Sequence, residues 1–475
     1  MAKSWFALVV VFALLTGLSQ AQLDSANQQL SRDIFQQLID INTTESVGNT
    51  TTAAQAMAKR LRDAGFPAKD VVVLGPDARH GNMVARYRGT GQHPPILMIG
   101  HLDVVEARRS DWTTDPFHFV EKDGYFYGRG TQDMKSDDAI WVADFIRLKR
   151  EGYQPDRDLI LALTSDEEGG PANGVDWLIK NHRDLISAEF VLNSDGGGVN
   201  TVNGKPLFIS MDGSEKLYGD YQLKATNPGG HSSLPEPDNA IYHVTDALAR
   251  LQKFQFPFEL NAVTRGYFER MATIEHGQRA ADMKAILQTP PDQAAIARLS
   301  EDPVFNATMR TTCVATRLQG GHANNALPQT ATAIVNCRIL PGHSREEVRQ
   351  QLVKVFDDPK VEVRYVANDG TTLSDRAPEK LGYAPVKLRP DVMQPLEKVA
   401  AQMWPGAPVI PTMSTGASDG VYTNAAGLPT FGISGTAIDM DDVRAHGRDE
   451  RLGVQSFYNG VQFYYLFLKA ITGGR

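Results

Sequence analysis

Cysteine is nearly absent: Cys313 and Cys337 are the only two in a chain of 475 residues. That supply excludes a disulfide-framed scaffold. The two lie symmetrically about Asn325, in what reads as a pair of antiparallel strands, so they can face each other. One disulfide and two buried thiols both fit. Positive charge is also short. The formal net charge is −8 and no basic patch stands out, which argues against nucleic acid or an anionic membrane as partner. Long apolar runs are missing as well. Residues 5–18 carry no charge, but about 14 apolar residues fall short of the roughly 20 that span a bilayer. With Lys3 ahead of them and Ser19-Gln20-Ala21 behind, they read as a secretory signal cleaved after Ala21. No cysteine follows to carry a lipid. The mature chain is therefore expected to be secreted, in the periplasm, with no membrane contact.

A hydrophobic content of 42% against 22% charged residues is that of a globular protein with ample core. The length allows two or three domains. There is no internal repeat and no low-complexity tract. Residues 31–64 read as helix interrupted by a polar 42–52 loop. Strands are expected at 71–73 and 82–87, then at P-I-L-M-I-G-H-L-D, residues 95–103. Its continuous apolar run is that of a strand buried on both faces of a parallel sheet. A helix at 136–150, a strand at 159–163, a short helix at 175–180 and a strand at 190–192 follow. This alternation predicts a three-layer α/β domain with a mainly parallel sheet. After Asp212 the pattern changes to β-α-β-β-α-β: 216–224, 239–254, 309–318, 330–340, a helix from Ser344 and 361–366. Ser344 and Glu347 are spaced as a capping box. That order is ferredoxin-like, with an extra segment at 255–304 that has helical character around 280–299. Residues 368–379 read as a return linker. A helix at 391–404 and a strand at 429–433 rejoin the first domain, so the second is an insertion.

Chemistry-bearing residues collect at strand ends and before helices. His101 and Asp103 follow the 96–99 run, Glu167 and Glu168 end T-S-D-E-E-G, and Asp195 ends the 190–192 strand. Asp133 precedes a helix, and His446 lies in the late loop A-H-G-R-D-E. Singly, each has a bland reading as an N-cap, a solvated turn or an exposed histidine. Jointly they occupy the edge where α/β sheets bind ligands. Two His, two Asp and one Glu suit a pair of zinc ions bridged by a carboxylate. One of the two adjacent glutamates is then free to act as general base.

These motifs resemble the co-catalytic zinc metallopeptidases that include carboxypeptidase G, carboxypeptidase S, carnosinase, acetylornithine deacetylase and aminoacylase. The resemblance rests on G-H-L-D-V-V, G-R-G-T-Q-D-M-K, T-S-D-E-E-G, Asp195, G-G-H-S-S, N-A-L-P, N-C-R-I-L-P-G and His446, and covers essentially the whole mature chain. It implies a zinc-exopeptidase catalytic domain over 22–212 and 376–475, after the 1–21 signal. A lid or dimerisation domain would occupy 213–375. It implies one zinc on His101, Asp133 and Asp195, with Asp133 bridging to a second on Glu168 and His446, where Co2+ or Mn2+ are substitutes. Asp103 would orient His101, Glu167 would be the base, and His231 would stabilise the oxyanion. Asn325, Arg338 and the backbone at Gly416 would hold the substrate's carboxylate. The stretch S-T-G-A-S-D-G, residues 414–420, departs from the G-G-T-D-like form usual there. The substrate implied is a small peptide, cleaved next to a free carboxylate by a carboxypeptidase or dipeptidase, or alternatively an N-acyl amino acid. Some branches form a homodimer through the lid and others replace the partner with an enlarged lid, so the oligomeric state stays open.

Overall fold

The run at 96–99 forms the strand Ile96–His101 at the centre of a ten-stranded sheet. The computed structural model describes residues 23–474 apart from 171, 368, 380, 381 and 385. The expected signal segment therefore lies outside the described residues. In the strand, Ile96 and Met98 enter one apolar core with Ile140, Phe145 and Leu468, while Leu97 and Ile99 enter another with Leu178 and Leu428. Both faces are covered by helices, so both parities of the strand are apolar. Leu159–Thr164 repeats the arrangement, with Leu159, Leu161 and Leu163 on one side and Ile160 and Ala162 on the other. Phe190–Asn193 does the same with Phe190 and Leu192 against Val191. Each such side chain removed from water contributes about 1.5–3 kcal/mol.

From one edge the strands run Val71–Leu74, Asn82–Tyr87, Leu159–Thr164, Ile96–His101, Phe190–Asn193, Thr430–Gly432, Lys205–Glu215, Gly198–Val202 and Ala437–Asp439, with Val409–Ser414 also paired to Lys205–Glu215. The middle four are parallel, and antiparallel pairs lie on either side of them. Ile99 stands level with both Ala162 and Asn193, so the carboxyl ends of three neighbouring strands open side by side. Helices Ser25–Ile39, Lys135–Glu151 and Val454–Thr472 pack together on one face. The other face carries Gly174–Asn181 and Gly420–Ala425. This is the expected three-layer α/β architecture.

The inserted sheet is antiparallel throughout, in the order Thr312–Gly320, Thr330–Ile339, Leu217–Thr226, Glu362–Val366, Leu373–Ser374. Helices Ala240–Lys253 and Arg345–Phe356 complete the unit, and the Ser344–Glu347 capping box forms with both reciprocal hydrogen bonds. Cys313 and Cys337 sit opposite each other in register and are bonded.

Several features differ from expectation. Residues 262–308 form four short helices rather than one helical stretch around 280–299. They build their own core, which includes Phe208 and Ile410 of the large sheet. The strand Lys205–Glu215 was not expected and continues past Asp212, and the next strand begins at Leu217. The long terminal helix Val454–Thr472 was also unforeseen. Among the described residues no helix is long and apolar enough to cross a membrane.

Candidate metal centre

Because the three parallel strands end within two residues of one another, their following residues meet. His101 is the last residue of its strand and is buried. Its Nδ1 lies 3.0 Å from the Asp103 carbonyl, so an N–H there donates to it and Nε2 is left facing outward, 3.1 Å from Asp133 Oδ1. The other Asp133 oxygen is 3.0 Å from His446 Nε2, which is also 3.0 Å from Glu168. Donor atoms of His101, Asp133 and Asp195 all fall within 4.8 Å of one another, and so do those of Asp133, Glu168 and His446. Asp133 is common to both groups, with one oxygen directed to each histidine.

Asp103 orients His101 through its carbonyl. Its carboxylate lies 3.7 Å from His101 Nδ1 and instead accepts the backbone N–H groups of Glu167 and Glu168 at 3.2 and 2.9 Å. One residue thus ties the buried imidazole to the turn that carries both glutamates. Neither the Glu167 nor the Asp195 carboxylate accepts a hydrogen bond from any described residue. That leaves their oxygens free for a cation or a water.

Asp133 and His446 come from loops more than three hundred residues apart, and a small sheet joins them. Arg451–Gly453, just after His446, pairs with Tyr125–Tyr127, just before the Asp133 loop. Glu450 locks the junction. It is fully buried and accepts Arg129 Nη1 at 2.6 Å, and the N–H groups of Gly130, Gln132 and Asp133 at 3.2, 2.7 and 3.1 Å. Arg129 also reaches the His446 carbonyl at 3.4 Å. Replacing Glu450 by Ala strands a buried guanidinium and three N–H groups, so we expect a loss of about 3–5 kcal/mol in chemical denaturation. A change under about 1 kcal/mol removes Glu450 from this role. Sequence reasoning passed over Glu450 because R-D-E-R reads as a solvated charge run. A carboxylate directly before a strand was the only local hint.

Burial and crowding set the electrostatics. Burial, followed by the negative charges of Glu167 and Asp133, raises the Asp195 carboxyl well above its ordinary range. Burial also raises Glu167, with the charges of Asp419, Glu168 and Asp103 adding to it. Burial pushes Asp103 up to about 6. It opposes the charged form of His101, yet the hydrogen bond to Asp133 and the surrounding carboxylates hold that imidazole well above its usual value. Hydrogen bonds to Asp133 and Glu168 push His446 up to about 10. Against the cost of burial, the two imidazoles in turn hold the Asp133 carboxyl well below its ordinary range, so carboxylate charge outnumbers imidazole charge in a buried site, a surplus that a cation would offset. Imidazole and carboxylate donors with one shared carboxylate fit a pair of divalent cations.

The expected substrate residues lie elsewhere. His231 and Asn325 are brought together on an exposed two-stranded ribbon, where His231 pairs with Ala326 and Ser232 N–H donates to the Asn325 carbonyl at 3.1 Å. His231 Nδ1 is 2.7 Å from Ser233 Oγ. Arg338 stands opposite Tyr218 on the inserted sheet, its guanidinium 4.9 Å from the ring centre. It has no hydrogen-bonded or ion-paired partner among the described residues. Gly416 lies in the loop after Val409–Ser414, its N–H on Ser414 Oγ at 3.1 Å. None of the four makes a hydrogen bond or ion pair with the ligand groups among the described residues. The same loop supplies two residues the sequence reading missed. Ser418 binds the buried Glu215 through N–H and Oγ at 2.6 and 2.8 Å. Asp419, also buried, accepts Asn173 Nδ2 at 2.6 Å and Thr164 Oγ1 at 3.2 Å, and its charge bears on Glu167.

Comparison with known proteins agrees with this geometry. The chain is 27% identical over 376 residues to the N-fatty-acyl-amino acid synthase/hydrolase PM20D1 of Xenopus tropicalis, covering 78% of this chain and 71% of that one. It is 26% identical over 411 residues to the Probable carboxypeptidase S-like 2 of Dictyostelium discoideum, covering 82% and 74%. Its fold is similar to that of the M20 family metallo-carboxypeptidase Sso-CP2 of Sulfolobus solfataricus, with a TM-score of 0.67 at 16% identity over 93% of this chain and 99% of that one. The sequence model of peptidase family M20/M25/M40 matches residues 97–470, a span that holds all five candidate ligands, Glu167 and the inserted sheet. The chain belongs to that family and is a hydrolase of peptide-like amides.

Proposed function

We propose that this protein is an exported two-zinc exopeptidase that cleaves the amide next to a free carboxylate in dipeptides and short peptides. The observation that carries the reading is the sharing of Asp133 between two donor groups, with the unencumbered Glu167 carboxylate on the same turn as the ligand Glu168. Two zinc ions, for which Co2+ or Mn2+ can substitute, would be held by His101, Asp133 and Asp195 and by Asp133, Glu168 and His446, and when bound would supply polarisation of the amide carbonyl and acidification of water. Glu167 takes a proton from the attacking water and returns it to the leaving nitrogen, a task suited to a carboxyl that burial has made more basic. Asp103 keeps the glutamate turn and His101 in fixed relation. Arg338, half-buried and without an acidic partner among the described residues, can grip a carboxylate in fork geometry. Gly416 and Asn325 would complete that end.

His231 would donate to the oxyanion. Because its ribbon is exposed and makes no hydrogen bond to the ligands, the reading requires closure of the inserted domain or a second copy of the chain. His231→Ala is expected to lower kcat about 10²–10³-fold with KM nearly unchanged. A change in KM alone would remove the role.

A second reading, hydrolysis of N-acyl amino acids, is favoured by the activity for which the PM20D1 relatives are named. It keeps every role above and alters only the acyl side. Assay of the purified protein on dipeptides against N-acetyl and N-lauroyl amino acids separates them: N-acyl turnover with intact dipeptides would reject the peptidase. Export to the periplasm is supported by the 5–18 run and by the Cys313–Cys337 bond, which is of a kind that persists in oxidising compartments.

A further inference from the structure

A second cluster of donors lies on the other side of the glutamate turn. Glu45 comes from the loop before helix Thr50–Asp63, His80 from the turn before strand Asn82–Tyr87, and Asp166 from the residue before Glu167. One atom from each falls within 4.8 Å of the others. Asp166 is only 4% exposed. Its Oδ2 accepts Ala172 N–H at 3.0 Å, but its Oδ1 accepts no hydrogen bond from any described residue and lies 3.6 Å from His80 Nε2. His80 Nε2 is also 3.4 Å from Glu45 Oε2. On the far side of the ring, Nδ1 is 2.7 Å from Asp77 Oδ2, and Asp77 is itself held by the N–H groups of Arg79 and His80 at 2.7 and 3.0 Å.

This is the carboxylate–histidine arrangement that orients an imidazole toward a metal. A protonated His80 bridging the acids is the rival explanation, and the distances weigh against it. A charged N–H draws a carboxylate to about 2.7–2.9 Å, as Asp77 shows on Nδ1, yet neither oxygen at Nε2 is that close. Donors bound to one tetrahedral ion at about 2.0–2.2 Å stand roughly 3.3–3.6 Å apart, and His80 Nε2 lies at that spacing from both carboxylates. No Lys or Arg side chain forms an ion pair with Glu45 or Asp166 among the described residues. A cavity of about 320 Å³ lined by Glu45, Glu106, Asp166 and Glu168 opens beside the two carboxylates.

We propose that Glu45, His80 and Asp166 hold a further divalent cation, separate from the pair bridged by Asp133. One imidazole and two carboxylates suit Zn2+ or Mn2+ rather than Ca2+. Bound there, it pins the turn bearing Glu167 and Glu168 to the 42–49 loop, so the site is a structural clamp beside the catalytic residues.

Metal per chain, measured by mass spectrometry on protein saturated with Zn2+ and dialysed, tests it. Glu45→Gln and His80→Ala are each expected to hold one Zn2+ fewer than the unaltered chain, with unchanged circular dichroism. Should His80→Ala fail to fold, Glu45→Gln, at an exposed position, decides. Equal Zn2+ content in the unaltered chain and the folded variants overturns the proposal. The difference between chains reads this site, whereas the number remaining in the variants reads the Asp133 pair, so either can fail without the other.

Discussion

Replacing Glu167 by Ala or Gln is expected to reduce kcat about 10³–10⁴-fold, at the upper end of what a positioned general base supplies, while metal content stays that of the unaltered protein. The split follows from geometry. Glu167 belongs to neither donor group, whereas Glu168 sits 3.0 Å from His446 in one of them. The Asp103 carboxylate fixes the two backbones through the Glu167 and Glu168 N–H groups, so truncating Glu167 leaves the ligand's placement intact. Burial and the charges of Asp419, Glu168 and Asp103 raise the affinity of Glu167 for a proton, which a base that must accept and then release one requires. Gln keeps the shape and removes the proton acceptor, so equal losses in Ala and Gln isolate the chemistry. Activity within tenfold of the unaltered enzyme would end this assignment, and loss of metal would show Glu167 to be a ligand instead.

The second large effect concerns Asp133. Its two oxygens serve two donor groups, so Asp133→Ala should release both cations of the pair, whereas Asp195→Ala disturbs only the group that contains His101. Loss of both removes several kcal/mol of transition-state stabilisation, about 10⁴-fold or more in kcat/KM. Chelator treatment of the unaltered protein should reproduce that loss, and Zn2+, Co2+ or Mn2+ should reverse it in the unaltered protein but not in Asp133→Ala. Full peptidase activity after chelation, or an Asp133→Ala chain that retains two cations at His101 and His446, contradicts the shared-carboxylate centre. His446 adds a conformational point. Its φ of +62° lies in the left-handed region, uncommon for a residue other than glycine, and such backbone persists where the surroundings enforce it. Glu450 and the Arg451–Tyr127 pairing are those surroundings.

Local signals carried the central architecture. Ile96–Ile99, Leu159–Leu163 and Phe190–Leu192 are apolar at every position because helices cover both faces, and their shortness and flanking turn residues read as strand rather than buried helix. Ser344 with Glu347 marks a helix start through contacts three residues apart. The β-α-β-β-α-β order was legible because each of its elements obeys a simple period. Elsewhere the local pattern was broken. Val409–Ser414 holds Pro411, and Lys205–Glu215 holds Asp212 and Gly213, so neither looks like an inner strand. Asp212 is tolerated there because the Gly197 N–H and the Thr412 hydroxyl both donate to it. The terminal helix is rich in Tyr and Phe, residues of high strand propensity. Packing against Trp141 and the Ser25–Ile39 and Lys135–Glu151 helices overrides that tendency.

By itself the sequence determined which residues could be ligands: a histidine and carboxylates placed where strands stop, a site of functional chemistry in any parallel sheet. Tertiary structure alone decided which of them meet. Asp133 faces both His101 and His446 because a three-stranded sheet and the buried Glu450 join segments far apart in the chain. Asp103 serves through its carbonyl as well as its carboxylate, and Glu45 and His80 stand beside Asp166. Those outcomes depend on distances between chain segments remote in sequence, which packing sets and no local spacing encodes.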